Sequence, residues 1–259
     1  MTFLTCLAAD VAGRVPALAE DSATNRATLI EGLMRTALEA ECDRAQAMIE
    51  RLPKRLYCFI NGILTFPGDA RNWTGRAVTW TNTKQSQVAR LKSQVVVAEK
   101  VEYWAGPIDR VFGQQARAAK LYQTLRYYRG WEIVLVGHSN GADVIIDMLR
   151  EYPDGPPIRA LHLVCGATEG DFTKNGLNAA LAQGRVGTVT VYCAGQDRAL
   201  ALAHSLPGKL LGYGTMGLTG PLNVAPGLAA HVRRVDWAGF GHSDCWGETQ
   251  FEGTMRLFA

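Results

Sequence analysis

Residues 131–150 read WEIVLVGHSNGADVIIDMLR. The first part, Ile133 to Val136, is a short apolar run rich in β-branched residues, as expected of a strand buried on both faces. The chain then passes through Gly137-His138-Ser139-Asn140-Gly141. From Ala142 onward, Val144, Ile145, Met148 and Leu149 recur with helical spacing. Strand, G-x-S-x-G, helix is the pattern of a nucleophile elbow, in which the serine sits on a turn tight enough to strain its backbone and hold Oγ above the end of a sheet. Glycine is required two residues before and two after the serine, because a Cβ at either place would collide with the crossing helix and strand. The turn also leaves the N–H of Asn140 at the N-terminus of the new helix, directed where an oxyanion would form.

In this strand-to-helix setting the motif resembles the elbow of the α/β-hydrolase superfamily, in particular its serine esterase and lipase-like branch. The resemblance extends from Lys54 to Ala259. It implies an α/β fold with a mostly parallel central sheet flanked by helices, and a Ser, acid, His triad in that chain order. Serine is a poor nucleophile until a base takes its proton, and the usual base is an imidazole held in one tautomer by a carboxylate. The family places its histidine in the loop after the last strand, where this chain has His242 in GFGHSD. Of the other histidines, His138 lies inside the elbow and points away from where Ser139 must face. His162 is mid-strand and reads as a core residue, and His204 and His231 precede the last strand.

Two carboxylates compete for the third role. Asp197 ends a strand in AGQDRAL, which looks like the family's acid turn. Asp171 follows the preceding strand, a position used by some lipase-like members. Asp197 is the preferred candidate, although either can by default be a helix cap. Leu56 to Leu64, LYCFINGIL, is the first clear strand. Its Asn61-Gly62-Ile63 corresponds to the family's His-Gly pair and the oxyanion-hole residue after it, so the resemblance assigns the N–H of Ile63 as partner to that of Asn140. The chain departs from the family by having Asn61 in place of His. The following loop, TFPGDARNW, is expected to lie over the site.

The remaining elements follow from periodicity. Asn25 to Leu52 carries one apolar face and reads as a helix stopped by Pro53. That face either packs on its own domain or forms a homodimer contact. A helix is expected over Thr79–Gln94, a strand over Lys100–Trp104 and a helix over Asp109–Tyr128. Strands follow at Ile158–Val164, Thr188–Cys193 and Val232–Trp237, then a final helix reaching Leu257. Strands separated by helices imply parallel crossovers. The expected organisation is a helical segment at 1–53 and a hydrolase domain at 54–259.

Composition narrows the function classes. With 259 residues, the chain has room for one large α/β domain. An apolar fraction of 47% argues against disorder. The net charge of +3 is small and evenly spread, which points away from nucleic acid or anionic membrane as a partner. The six cysteines include no C-x-x-C pair, so neither zinc nor a redox motif is indicated; buried thiols in a reducing compartment are expected. The N-terminal stretch lacks a basic n-region, and no run approaches 18 apolar residues. Cytoplasmic location without a membrane span is the expectation.

Two other motifs need weighing. Asn72-Trp73-Thr74 matches a glycosylation sequon. Gly212-Tyr213-Gly214-Thr215-Met216-Gly217 matches G-x-G-x-x-G, but no strand precedes it and Pro221 and Pro226 occupy the place of the helix, so a dinucleotide site is not expected. A loop bordering the active site, supplying Tyr213, Met216 or Leu218, fits better. The expected activity is carboxylic ester hydrolysis through an acyl-enzyme, without metal or cofactor, on a small-molecule or lipid-like ester. Thioester, amide or acyl-transfer chemistry on the same triad is the alternative, and a non-catalytic interaction protein that kept the fold is the rival from another class.

Overall fold

The structure is a computed structural model and describes residues 23–63, 72–103, 109–203 and 212–258. The chain divides after Leu52 into two compact units. The first contains one long helix, α1 (Ala23–Arg51), one to two residues offset from the stretch that the apolar periodicity marks. Among the described residues no helix is long and apolar enough to cross a membrane.

The second unit is built on six strands: β1 (Lys54–Ile60), β2 (Val95–Val101), β3 (Glu132–His138), β4 (Ile158–Val164), β5 (Val186–Ala194) and β6 (Val232–Trp237). They lie in the order β2-β1-β3-β4-β5-β6, and every pairing is parallel. This order, with the sharp serine turn after β3, is the α/β-hydrolase fold. Both sheet faces are covered, which is why the central strands read as nearly continuous apolar runs. Leu56, Cys58, Ile60, Ile133 and Leu135 pack on one side, against residues of α4 (Asp109–Arg126) and α5 (Asn140–Glu151). Tyr57, Phe59, Val134 and Val136 pack on the other, against Trp73 and Ala77 of α2 (Trp73–Trp80) and Phe251 and Met255 of α9 (Glu248–Arg256). Each fully buried large side chain contributes on the order of 1.5–3 kcal/mol.

Three elements differ most from the sequence reading. The segment expected as one helix over Thr79–Gln94 is α2, then a π-helical turn over Thr81–Gln85, then α3 (Ser86–Leu91). The strand expected at Lys100–Trp104 lies earlier, at Val95–Val101. It is the edge strand, mostly half-buried, so its apolar signal is weak and the β-branched run Val95-Val96-Val97 is what pairs with β1. The first strand starts at Lys54 and ends at Ile60, because Asn61 leaves the ladder to make side-chain bonds. Short α-helices among the described residues include α6 (Leu177–Ala182), α7 (Arg198–Ala203) and α8 (Met216–Thr219).

In a parallel sheet all C-terminal strand ends share one edge. Connections leave β1 towards β2 and leave β3 towards β4, so the sheet reverses direction between β1 and β3, and the crevice at that point is where such sheets bind ligands. Asn61, Ser139, Asp197 and His242 all follow strand ends on this edge.

Candidate active site

Ser139 has φ 54° and ψ −122°, a conformation sparsely populated by any residue with a side chain. Such strain costs of order 1–3 kcal/mol and persists only where neighbours over-determine it. Here the Ser139 N–H donates to the Val164 carbonyl at 3.0 Å, while its own carbonyl accepts from Ala142 N–H at 3.1 Å and Ala167 N–H at 3.0 Å. The serine backbone is thus clamped between α5 and the end of β4.

The flanking glycines have the steric cause that the sequence suggested. A Cβ on Gly137 would lie 2.9 Å from the nitrogen of Ala142. One on Gly141 would strike the carbonyl of Ile60 and lie 2.7 Å from the oxygen of Asn61. Gly62 belongs to the same packing: a Cβ there would come within 2.9 Å of the Ser139 Cβ. The end of β1 therefore reaches the serine only because position 62 is bare, and Ile63 follows at once. Gly141→Ala is expected to cost about 1–3 kcal/mol by overpacking against backbone that cannot yield. Thermal unfolding should show this as a fall of several degrees in the midpoint; an unchanged midpoint would remove the steric account of the elbow.

Asn140 is completely buried and opens the 12-residue α5, so its backbone N–H is one of those with no acceptor inside the helix. The sequence gives no hint of the residue that ties it to Asn61. Tyr103, just beyond β2, donates its hydroxyl proton to the Asn61 carbonyl at 2.7 Å and accepts from Asn140 Nδ2 at 3.1 Å. Asn61 in turn donates from Nδ2 to the Tyr103 carbonyl at 3.0 Å and accepts the Tyr103 N–H at 3.3 Å. The asparagine that departs from the family pattern is thus the strap between the ends of β1 and β2.

His242 Nδ1–H donates to Asp197 Oδ2 at 2.7 Å. The Asp197 side chain is wholly buried, and its other oxygen accepts the N–H of Leu200 at 2.8 Å in the first turn of α7. One carboxylate thereby serves as helix cap and imidazole partner together. Asp171 is engaged elsewhere. Its Oδ1 accepts the N–H groups of Thr173 and Lys174 at 2.9 and 3.2 Å, and its Oδ2 accepts Asn223 Nδ2 at 2.8 Å. Those bonds, the one from Asn223 first, hold its carboxyl below the ordinary aspartate range. No hydrogen bond joins the Ser139 hydroxyl to His242 among the described residues; such bonds are often long before substrate binds and tighten in the reacting complex.

His138 Nε2 lies 2.8 Å from the backbone carbonyl oxygen of His242. His162 is a buried core histidine, its Nδ1 3.0 Å from the Tyr192 hydroxyl, and burial pulls its pKa down to about 4. Beside the serine turn, Ala167, Leu200 and Tyr213 form a small apolar cluster, with Ile63 and Leu218 packed against it. The glycine-rich segment thus contributes Tyr213 and Leu218 to a wall near the site, whereas Met216 is fully buried in the main core. Gly214 packs on the Thr168 backbone too closely for any side chain, which accounts for a glycine there without a nucleotide. Asn72 of the sequon is buried and caps α2, and the amide nitrogen that would carry a glycan donates to Glu102 at 3.0 Å. Residues 65–71 of the loop expected over the site, and His204, lie outside the described residues. Among the described residues no group of three or more His, Cys, Asp or Glu side chains is arranged to hold a metal ion.

No protein-family model and no curated protein sequence matches the chain. Solved structures similar to it include a putative hydrolase from Agrobacterium vitis (12% identity, 80% of this chain and 89% of that one, TM-score 0.47). A CIB-like hydrolase from Thermoplasma acidophilum aligns at 16% identity over 78% and 83% of the two chains, with TM-score 0.41. The RedJ thioesterase of the prodiginine pathway in Streptomyces coelicolor aligns at 15% identity over 81% and 86%, with TM-score 0.42.

Proposed function

We propose that the protein is a serine hydrolase that cleaves carboxylic esters through an acyl-enzyme. The observation that carries this reading is the 2.7 Å bond from His242 Nδ1 to the buried Asp197, on the same sheet edge as the strained Ser139. With Nδ1–H committed to the carboxylate, Nε2 is the nitrogen left to act as base. It takes the proton of Ser139 Oγ as the oxygen attacks the substrate carbonyl. The tetrahedral oxyanion accepts the backbone N–H bonds of Ile63 and Asn140, held apart at a set distance by the Tyr103–Asn61–Asn140 network. His242 then gives its proton to the leaving alcohol, and the C–O bond breaks. In the second half, His242 deprotonates water as it attacks the acyl carbon; the bond from that carbon to Oγ then breaks, and His242 gives the proton to Ser139 as the carboxylic acid departs. Ile63 and Leu218, partly buried against the apolar cluster of Ala167, Leu200 and Tyr213, supply a surface suited to the acyl portion of a small or lipid-like ester.

The test is intact-mass measurement after treatment with a fluorophosphonate, whose phosphorus Ser139 would attack with loss of fluoride. One adduct on the wild-type chain and none on Ser139→Ala is expected. Unmodified wild type, or label that persists in Ser139→Ala, overturns the proposal.

A further inference from the structure

We propose that His138 is a positioning residue which sets the spacing between the proposed nucleophile and its base; this rests on the hydrolase reading above. His138 precedes Ser139 directly, and its Nε2 lies 2.8 Å from the carbonyl oxygen of His242, 104 residues further along the chain. A carbonyl only accepts, so Nε2 carries the proton and donates it. One side chain thus joins the residue before the nucleophile to the backbone of the base.

The second tether matters because the first is incomplete. The bond from His242 Nδ1 to Asp197 fixes one nitrogen of the ring but leaves the ring free to swing about that contact. The segment that carries His242 is tied to the end of β5 by the Gln196 N–H donating to the Phe240 carbonyl at 3.0 Å, and within itself by the Gly241 N–H donating to Asp244 Oδ2 at 2.6 Å, but neither bond reaches the strand that carries the nucleophile. Pinning the His242 carbonyl fixes its Cα, and with it the direction in which Nε2 points. The nucleophile–base distance is then governed by the short path Ser139–His138–His242 rather than by the whole β6 loop.

The ring of His138 is itself held. It meets Trp73 edge-on at 6.0 Å and Trp246 edge-on at 5.7 Å, and these two indoles stack on each other at 3.9 Å. Trp246 closes the loop that begins at His242, and its carbonyl accepts from Arg76 Nη1 at 2.9 Å. Burial first, then the neighbouring His242 imidazole, lowers the pKa of His138 to about 3. The ring therefore stays neutral at any pH where the enzyme would work, and the donor is always Nε2–H. Two imidazoles with centroids 4.8 Å apart divide the work: His138 holds position, and His242 transfers protons.

The experiment compares His138→Gln with His138→Met. The two side chains are close in shape and cost the aromatic pocket similar packing, but only Gln can donate to the His242 carbonyl. We expect His138→Met to lose on the order of 10- to 100-fold in kcat on a short p-nitrophenyl ester, as a misplacement of the base by a fraction of an ångström to one ångström would give. KM should change by less than about twofold, since no substrate contact is removed. The fluorophosphonate reaction rate should fall in parallel, and His138→Gln should recover most of both losses at a similar thermal midpoint. Equal kcat in the Gln and Met variants overturns the inference while leaving the hydrolase reading intact. A loss confined to KM overturns it as well. Wild-type protein inert to both ester and fluorophosphonate overturns the hydrolase reading itself, and this inference with it.

Discussion

Ser139→Ala is expected to lower kcat on a short p-nitrophenyl ester by on the order of 10⁶. The size follows from what the residue would do. Every covalent step in the proposed cycle passes through Oγ, so its removal leaves only binding and the two backbone donors to favour attack by water. Those donors remain, because Asn140 keeps its place at the head of α5 and the Tyr103 bonds to Asn61 and Asn140 do not involve the serine side chain. A residual rate above that of water is therefore expected. Residues that act as one unit are not additive, so Ser139→Ala combined with His242→Ala should be no slower than Ser139→Ala alone. Steady-state rates of the wild type and the two variants, with ester and enzyme concentrations chosen to see a 10⁶ range, check both statements. A Ser139→Ala enzyme within tenfold of wild type would mean that another nucleophile does the work.

Asp197→Asn should reduce kcat by on the order of 10⁴ with little effect on the fold. The amide has the shape of the carboxylate but can turn an NH₂ towards His242 Nδ1, which favours the tautomer that protonates Nε2 and blocks it as a base. Asp197 also caps α7 through Leu200 N–H, and an amide oxygen can keep that bond, so the thermal midpoint should change little. Asp171→Asn is the control. Its carboxylate is already committed to the Thr173 and Lys174 N–H groups and to Asn223, and asparagine can retain the first two. A loss below about tenfold is expected there. Measuring kcat and the thermal midpoint for both variants decides the matter. An inactive Asp171→Asn beside an active Asp197→Asn would show that the acid follows β4 and that the Asp197–His242 bond is not catalytic.

What could be read in the chain before folding was whatever short-range sterics control. The elbow is largely such a feature: Gly137, Ser139 and Gly141 lie within five residues, and the collision that demands glycine at 137 comes from the helix that follows at once, although the one at 141 comes from Ile60 and Asn61 at the end of β1. The central strands were legible for a related reason, since burial on both faces leaves an apolar run that needs no partner to be recognised. The edge strand β2 was misplaced because the charged pair Glu99-Lys100 interrupts its apolar run on a half-buried edge.

The choice among polar partners belonged to the tertiary structure. Asp197 and Asp171 both follow strands and both are set to cap local turns, and the local sequence favours Asp197 only through the likeness of AGQDRAL to an acid turn. The difference is that β6 pairs beside β5, which brings His242 to a carboxylate 45 residues earlier, while Asn223 and the Thr173 turn take up Asp171. Tyr103 and His138 were invisible for the same reason. Their hydrogen bonds span 42 and 104 residues, no periodicity or motif encodes so long a reach, and only the order of strands in the sheet brings the partners within 3 Å.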